Sequence, residues 1–263
     1  MGDKNNMEDN MDEISGHRNL DATGQHYMID KALIKFIVDE AALSKTDVVL
    51  EIGHGHGELT KELIKKCHVI AIDIEHNLGI KSPMLKILKG NILEHIGGIS
   101  FTKIVSNIPY NISEPLFRKL FKKDLDLCIL TMGKNFSEIL MQKNNRIGIL
   151  ANHFYDMEIL KVVKPKSFFP HPRNDSVIIR IEPKNIDELD KLGALYKELL
   201  MLDNKKLKNA LEKIIGKHIK LTKKSLNDAI KSHKMENIFE KRIYQLSNEE
   251  FVGLDGFLKK IAS

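Results

Sequence analysis

The sequence has few cysteines and lacks any long uninterrupted run of apolar residues. Cys67 and Cys128 are its two cysteines, and each lies within an apolar stretch. We therefore expect two free, buried thiols rather than a disulfide framework, which suits a reducing cytosol. No stretch of about 18 apolar residues is present, so no membrane-spanning helix is predicted. Residues 1–20 are polar and acidic and do not have the pattern of a secretory signal peptide.

The charges are unevenly distributed along the chain. Residues 1–30 carry seven acidic and two basic side chains, whereas residues 200–242 carry twelve basic and five acidic ones. A basic segment of this kind can contact phosphate groups. Solvated faces of lysine-rich helices produce the same pattern, so charge alone leaves both interpretations open.

Between residues 21 and 183, segments typical of strands alternate with segments typical of helices. Strands are predicted at 47–53, 68–74, 85–91, 101–109, 125–132 and 176–183, and helices at 30–43, 58–67, 114–123 and near 135–143. With 42% hydrophobic residues, the chain can bury a substantial core. This alternation predicts an α/β fold with a mainly parallel sheet that is covered by helices on both faces.

Two other regions flank this α/β region. Residues 1–20 lack apolar periodicity, and we predict a disordered acidic N-terminal tail. After Pro183 the pattern becomes helical and stays so, which predicts a small helical C-terminal domain over residues 184–263. The α/β domain is therefore predicted to span residues 21–183.

A loop with alternating glycines and histidines follows the first long strand, and residues 51–57 read E-I-G-H-G-H-G. The dinucleotide-binding pattern G-x-G-x-x-G would require glycine where Glu58 stands. A glycine turn still allows close approach of the backbone to a ligand. At the start of a helix, however, Glu58 would repel a pyrophosphate, which favours a cofactor with little negative charge over a nicotinamide dinucleotide. We expect His54 and His56 to line a pocket wall rather than to bind a metal.

Polar residues also follow the next two predicted strands. Asp73 lies about 20 residues beyond the glycine loop, where a carboxylate can accept hydrogen bonds from both hydroxyls of a ribose. The alternative is that Asp73 caps the following helix. Asn91 ends the third strand, where its side chain can pair with an adenine edge, and a turn-forming asparagine explains this position equally well.

The segment S-N-I-P-Y at residues 106–110 ends the fourth strand, at the sheet edge where open α/β folds bind ligands. The side-chain carbonyl of Asn107 and the backbone carbonyl of Ile108 can accept hydrogen bonds from the exocyclic amine of an adenine. Fixing the N–H bonds in this way turns the nitrogen lone pair toward an electrophile. Pro109 makes the loop rigid, and Tyr110 can stack on a flipped base.

With these motifs, the sequence resembles the KsgA family, the S-adenosylmethionine-dependent dimethyltransferases of adenines in small-subunit ribosomal RNA, and the related Erm enzymes. The resemblance covers about residues 20–183 and includes T-G-Q-H-Y-M-I-D at 23–30 and F-F-P-H-P-R-N-D-S-V-I-I-R-I at 168–181. It implies a Rossmann-like methyltransferase fold and S-adenosyl-L-methionine as the cofactor.

The resemblance also implies roles for individual residues. Cofactor contacts are implied for His26, Met28, Gly53, Gly55, Asp73, Asn91 and Asn107. Catalytic roles are implied for Asn107, Ile108, Pro109 and Tyr110, and substrate contacts for Tyr110 and Phe169. The implied partner is RNA of the small ribosomal subunit. We further expect a cytoplasmic monomer that needs neither a metal nor a membrane.

Some positions depart from the family pattern. Asp73 replaces the usual glutamate, Asn91 the usual aspartate and His54 the usual proline, so altered cofactor contacts are expected. The segment 202–211, where the family usually carries an arginine pair, has Lys205, Lys206 and Lys208 instead, and arginine suits phosphate better because of its planar fork of donors. These departures leave two other functions open. One is a methyltransferase of the same fold that acts on another RNA or a protein, and the other is a non-catalytic RNA-binding or ribosome-assembly protein.

Overall fold

The computed structural model describes residues 25–75, 78–184 and 189–262, so the predicted tail at 1–20 lies outside the described residues. The strands are β1 (Tyr27–Met28), β2 (Val48–Ile52), β3 (His68–Asp73), β4 (Leu85–Lys89), β5 (Lys103–Asn107), β6 (Leu127–Gly133), β7 (Tyr155–Val163), β8 (Phe168–Phe169) and β9 (Ser176–Pro183). The helices are α1 (Lys31–Glu40), α2 (Glu58–Leu63), α3 (Ile92–His95), α4 (Ser113–Leu120), α5 (Lys134–Met141), α6 (Arg146–Phe154), α7 (Lys191–Met201), α8 (Leu207–His218), α9 (Lys223–Ser232), α10 (Glu236–Phe239) and α11 (Asn248–Ala262).

Seven strands of the described chain form one sheet in the order β4-β3-β2-β5-β6-β9-β7. The first five of these pair in parallel, and β9 pairs antiparallel with both β6 and β7. The chain runs outward from β2 to β4 and then returns to β5 on the other side of β2. Ligands bind at such a reversal of strand order, beyond the carboxyl ends of the strands. The predicted mainly parallel sheet is confirmed.

The central strands of this sheet are buried on both faces, and successive residues of each strand point to opposite sides. On β2, Val49 belongs to one hydrophobic cluster and Leu50 to the other. Helices α1 and α2 cover the Val49 face, with Ile37 and Leu63 fully buried there. Helix α4 covers the Leu50 face through Phe117. The continuous apolar runs that predicted the central strands reflect this burial on two sides.

Helices α7–α11 extend the Leu50 face of the core. Tyr196 of α7 and Phe251 of α11 are fully buried in the same hydrophobic cluster as Leu50. The Tyr196 hydroxyl donates a hydrogen bond to the buried carboxylate of Asp255 at 3.1 Å. The chain changes from sheet to helices near Lys184, but the core continues across this point. A division into two domains there stays a prediction.

Several elements differ from the sequence-based expectations. Helix α6, strand β7 and the short antiparallel pair β1–β8 were not predicted, and α2 ends at Leu63 rather than at 67. Strand β7 is an edge strand with exposed residues on both faces, including Ile159 and Val162, so its sequence has no clean alternation. Cys67 and Cys128 are free and buried, as predicted. Over the described ranges, no helix has the length and apolar character needed to span a membrane.

Candidate active site

A cleft lies beyond the carboxyl ends of β2, β3, β4 and β5, with about 780 Å³ of empty space when its open mouth is included. This size suits a small ligand or cofactor. Loops after these four strands and the chain segment that enters β1 form its wall. The lining residues are Gln25, His26, Tyr27, Ile52, Gly53, Gly55, Ile72, Asp73, Ile74, Gly90, Asn91, Ile92, Asn107, Ile108, Pro109, Tyr110, Asn111 and Ile112.

The strand order arranges the polar residues of the cleft in a row. Asn91 follows β4, Asp73 ends β3, Gly53 follows β2 and Asn107 ends β5. Neighbouring strands are about 4.8 Å apart, so the row is roughly 14 Å long. The cleft therefore suits an extended ligand with one end near Asn91 and the other near Asn107.

The glycine loop lies against the N-terminal segment of the described chain. Gly53, Gly55 and Gly57 all have positive φ angles, of 74°, 51° and 80°. A Cβ atom on Gly55 would lie 2.5 Å from the ring of Tyr27. Glycine at 55 therefore allows both the left-handed backbone turn and the close packing of Tyr27 on the loop.

The two loop histidines occupy different environments, and neither lines the cleft, so the prediction that they form its wall is wrong. His54 is buried, with Nδ1 3.0 Å from the carbonyl oxygen of Gly55. His56 is exposed and packs against the ring of Tyr27, with 4.5 Å between the ring centroids. His54 is therefore enclosed by the protein, and His56 contacts Tyr27 rather than the cleft.

Asp73 holds the glycine loop in place and lines the cleft. Its Oδ2 accepts a hydrogen bond from the backbone N–H of Gly55 at 3.2 Å, and its Oδ1 accepts one from the backbone N–H of Glu75 at 2.9 Å. The alternative that Asp73 caps a helix is not what the structure shows. Each carboxylate oxygen has a second lone pair, so Asp73 can still accept hydrogen bonds from a ligand.

Glu51 lies buried beneath the glycine loop and was not predicted as a functional residue. Its Oε2 accepts a hydrogen bond from the hydroxyl of Thr60 at 2.6 Å. Burial raises the pKa of Glu51 to about 8, although the Thr60 hydrogen bond opposes this shift. An acid inside the apolar run of residues 48–52 was the feature of the sequence that pointed to it.

Asn107 is tied to the segment that precedes β1. Its Nδ2 donates a hydrogen bond to the backbone carbonyl of His26 at 2.7 Å. Its Oδ1 is buried and has no hydrogen-bond partner among the described residues. A buried acceptor without a partner is costly, so this oxygen is suited to receive a donor from a ligand.

Tyr110 separates the cleft from a second cavity and lines both. Its hydroxyl forms a hydrogen bond with Ser176, and its ring centroid lies 5.4 Å from that of His26. Burial raises the pKa of Tyr110. The second cavity is also lined by the basic side chains of Lys134 and Arg173.

The structure brings most of the predicted site residues together. His26, Gly53, Gly55, Asp73, Asn91, Asn107, Ile108, Pro109 and Tyr110 all line the cleft. Met28 does not line it and is buried in the core, where β1 pairs it with Phe168. Phe169 lines neither cavity and is 38% exposed. Tyr27 and Ser176 were missed, because their positions depend on pairing between distant segments.

The sheet and its cleft place the chain in the Rossmann-like class of methyltransferases. Within this class, the chain belongs to the ribosomal RNA adenine dimethylase family, whose model matches residues 16–249. The resemblance to the KsgA family is thus confirmed.

Known relatives cover most of the chain. A protein of Methanopyrus kandleri named "Probable ribosomal RNA small subunit methyltransferase A" is 34% identical over 72% of this chain and 74% of its own length. One of the same name from Methanococcoides burtonii is 31% identical over 91% of this chain and 93% of its own. The crystal structure of a dimethyladenosine transferase from Plasmodium falciparum is 25% identical, with a TM-score of 0.59 over 89% of this chain and 98% of that one.

Proposed function

We propose that this protein transfers methyl groups from S-adenosyl-L-methionine to N6 of adenine in ribosomal RNA of the small subunit. Family membership and the names of the archaeal relatives support this activity. The observation that carries the proposal is the Asn107 side chain, which is held by His26 and keeps an unpartnered oxygen beside the cleft.

The residues of the cleft fit S-adenosyl-L-methionine. The glycine loop allows close approach of a ligand, and Asp73 offers a carboxylate where a ribose would lie. Asn91 would face the adenine end of the ligand, and Asn107 the end that reacts. When bound, this cofactor supplies a methyl group that is activated by a sulfonium centre.

Asn107 would prepare the target amine for methylation. Its Oδ1 would accept a hydrogen bond from the exocyclic amine of the target adenine, which turns the nitrogen lone pair toward the methyl group. The hydrogen bond from Nδ2 to His26 prevents the amide from rotating away from this orientation. The amine becomes acidic once it is methylated, so its proton can pass to water. A neutral thioether leaves, and the reaction therefore requires no metal.

The second cavity would hold the target nucleotide. Tyr110 forms the wall between the two cavities, so a base that stacks on its ring would place its amine close to Asn107. Lys134 and Arg173 would contact the phosphates of the RNA strand. Phe169, predicted to pack against the target base, lies in β8 opposite Tyr27, a residue that lines the cleft. We also propose that the protein is a monomer in the cytoplasm, a reducing compartment in which its free cysteines stay reduced.

Methyl transfer from radiolabelled cofactor tests this proposal. Small ribosomal subunits that lack adenine dimethylation would be incubated with the protein, and the label in RNA would be located by digestion to nucleosides. We expect label in N6-methylated adenosines. If folded protein that binds S-adenosylhomocysteine gave no incorporation, the proposal would be overturned. Label found instead in another RNA or in a protein would support the alternative with the same fold.

A further inference from the structure

Asn91 lies at one end of the cleft and also begins a helix. It follows β4 and is the N-cap of α3, where its Oδ1 accepts a hydrogen bond from the backbone N–H of Leu93 at 3.0 Å. It lines the cleft together with its neighbours Gly90 and Ile92. One side chain therefore serves both the helix start and the ligand cavity.

The helix cap fixes which atom of the amide is available to a ligand. A backbone N–H can only donate, so the side-chain atom that faces Leu93 must be the oxygen. The other branch of the amide, Nδ2, then points away from the start of the helix. Nδ2 donates no hydrogen bond to any acceptor within residues 25–75, 78–184 and 189–262. Asn91 thus presents a donor, whereas an aspartate here would present an acceptor.

We propose that Asn91 is a specificity-determining residue that recognises the purine of the cofactor by donating a hydrogen bond from Nδ2 to a ring nitrogen, N1 or N7. This inference rests on the proposed function, which places the purine at the Asn91 end of the row. An adenine edge offers ring nitrogens as acceptors and the exocyclic amine as a donor. Two donors would repel each other if Nδ2 faced the amine. Rotation of the amide would instead direct Nδ2 at the N–H of Leu93 and break the cap.

Calorimetric titration with S-adenosylhomocysteine and three analogues tests this inference. In two analogues a C–H replaces N1 or N7, and in the third a hydrogen replaces the exocyclic amine. For the unaltered protein, we expect one ring-nitrogen replacement to weaken binding about 3- to 10-fold, the effect of one neutral hydrogen bond. Removal of the amine should change the dissociation constant less than this.

Asn91→Asp is the matched variant, because aspartate is an equally good N-cap and leaves the start of α3 intact. It removes the donor, so we expect the pattern to reverse: binding becomes sensitive to loss of the amine and insensitive to both ring-nitrogen replacements. The inference is overturned if the unaltered protein tolerates both replacements, if loss of the amine is its most damaging change, or if Asn91→Asp stays as sensitive to a ring-nitrogen replacement as the unaltered protein. Failure to bind S-adenosylhomocysteine at all would instead count against the proposed function.

Discussion

The side chain of Asn107 and the backbone carbonyl of His26 are joined by a 2.7 Å hydrogen bond, although 81 positions separate the two residues in the sequence. Asn107 ends β5 in the middle of the sheet, whereas His26 directly precedes β1, which pairs with β8 outside that sheet. The proposed catalytic amide is therefore oriented only when the segment before β1 is folded onto the cleft.

Replacement of Asn107 should abolish turnover without unfolding the protein. We expect Asn107→Ala to lower kcat by at least about 100-fold, because the target amine loses its preorganised acceptor. Asn107→Asp should be similarly impaired, since a carboxylate oxygen would face the carbonyl of His26 in place of a donor. Single-turnover methylation with radiolabelled cofactor measures both variants. Asn144→Ala, an exposed position on the loop before α6, serves as the control, and near-normal turnover of Asn107→Ala would contradict the assigned role.

Substitution of Gly55 should affect both stability and cofactor binding. In Gly55→Ala the residue must adopt a φ of 51°, which costs an L-residue roughly 1–2 kcal/mol, and its Cβ displaces the ring of Tyr27 from the cleft wall. Chemical denaturation and titration with S-adenosylhomocysteine measure the two effects. Gly79→Ala is the matched control, because a Cβ there meets nothing within 4 Å. Equal behaviour of the two variants would show that the packing of Tyr27 on the loop is unimportant.

Loss of the Asp73 carboxylate should weaken cofactor binding. In Asp73→Ala the ribose loses its proposed acceptor, and the backbone N–H groups of Gly55 and Glu75 lose theirs. Hydrogen bonds to charged groups contribute about 1.5–3 kcal/mol, so we expect the dissociation constant of S-adenosylhomocysteine to rise at least about 10-fold. Asp39→Ala, on the exposed side of α1, is the control for the titration. An unchanged affinity of Asp73→Ala would place the ribose elsewhere.

Glu51 should make the stability of the protein depend on pH. Its pKa is raised to about 8 in the folded state, from a usual value near 4.5, so folding favours the protonated carboxyl. Its contribution to stability is fully present below about pH 4.5 and is lost as the pH rises through about 8. Glu51→Gln has no carboxyl group to ionise, so its stability does not fall in this way. The unfolding free energy of the variant minus that of the unaltered protein should therefore increase as the pH rises from about 4.5 to about 8. Denaturation between pH 5 and 9 measures it, with the exposed Glu62→Gln as control. A difference that does not vary with pH would refute the raised pKa.

The strands that could be predicted from the sequence are those buried on both faces of the sheet. Strands β2, β3, β5 and β6 appear as short apolar runs because each is covered by helices on both faces. Strand β7 escaped prediction because it is an edge strand with exposed residues, and β1 and β8 contain two residues each, too few to show any period.

The site residues that could be predicted from the sequence are those that lie at the end of a strand. Asp73 and Asn107 end parallel strands, so their positions at one edge of the sheet follow from the alternation of strands and helices. Tyr27 and Ser176 reach the site through pairing of distant segments, which local sequence does not specify. His54 was misplaced because its burial beside the Gly55 carbonyl depends on the tertiary fold, which local sequence does not specify.

The continuous core on the Leu50 face bears on how this chain can be divided. A fragment that ends at Pro183 would uncover the side of α6 that packs against α7 and α11 and would divide the hydrophobic cluster that they share. Such a fragment would retain every proposed catalytic residue and yet have a strong tendency to aggregate. Helices α7–α11 are thus a structural requirement of the part of the chain that ends at Pro183. We expect the two parts to be inherited and expressed together and to unfold in one transition.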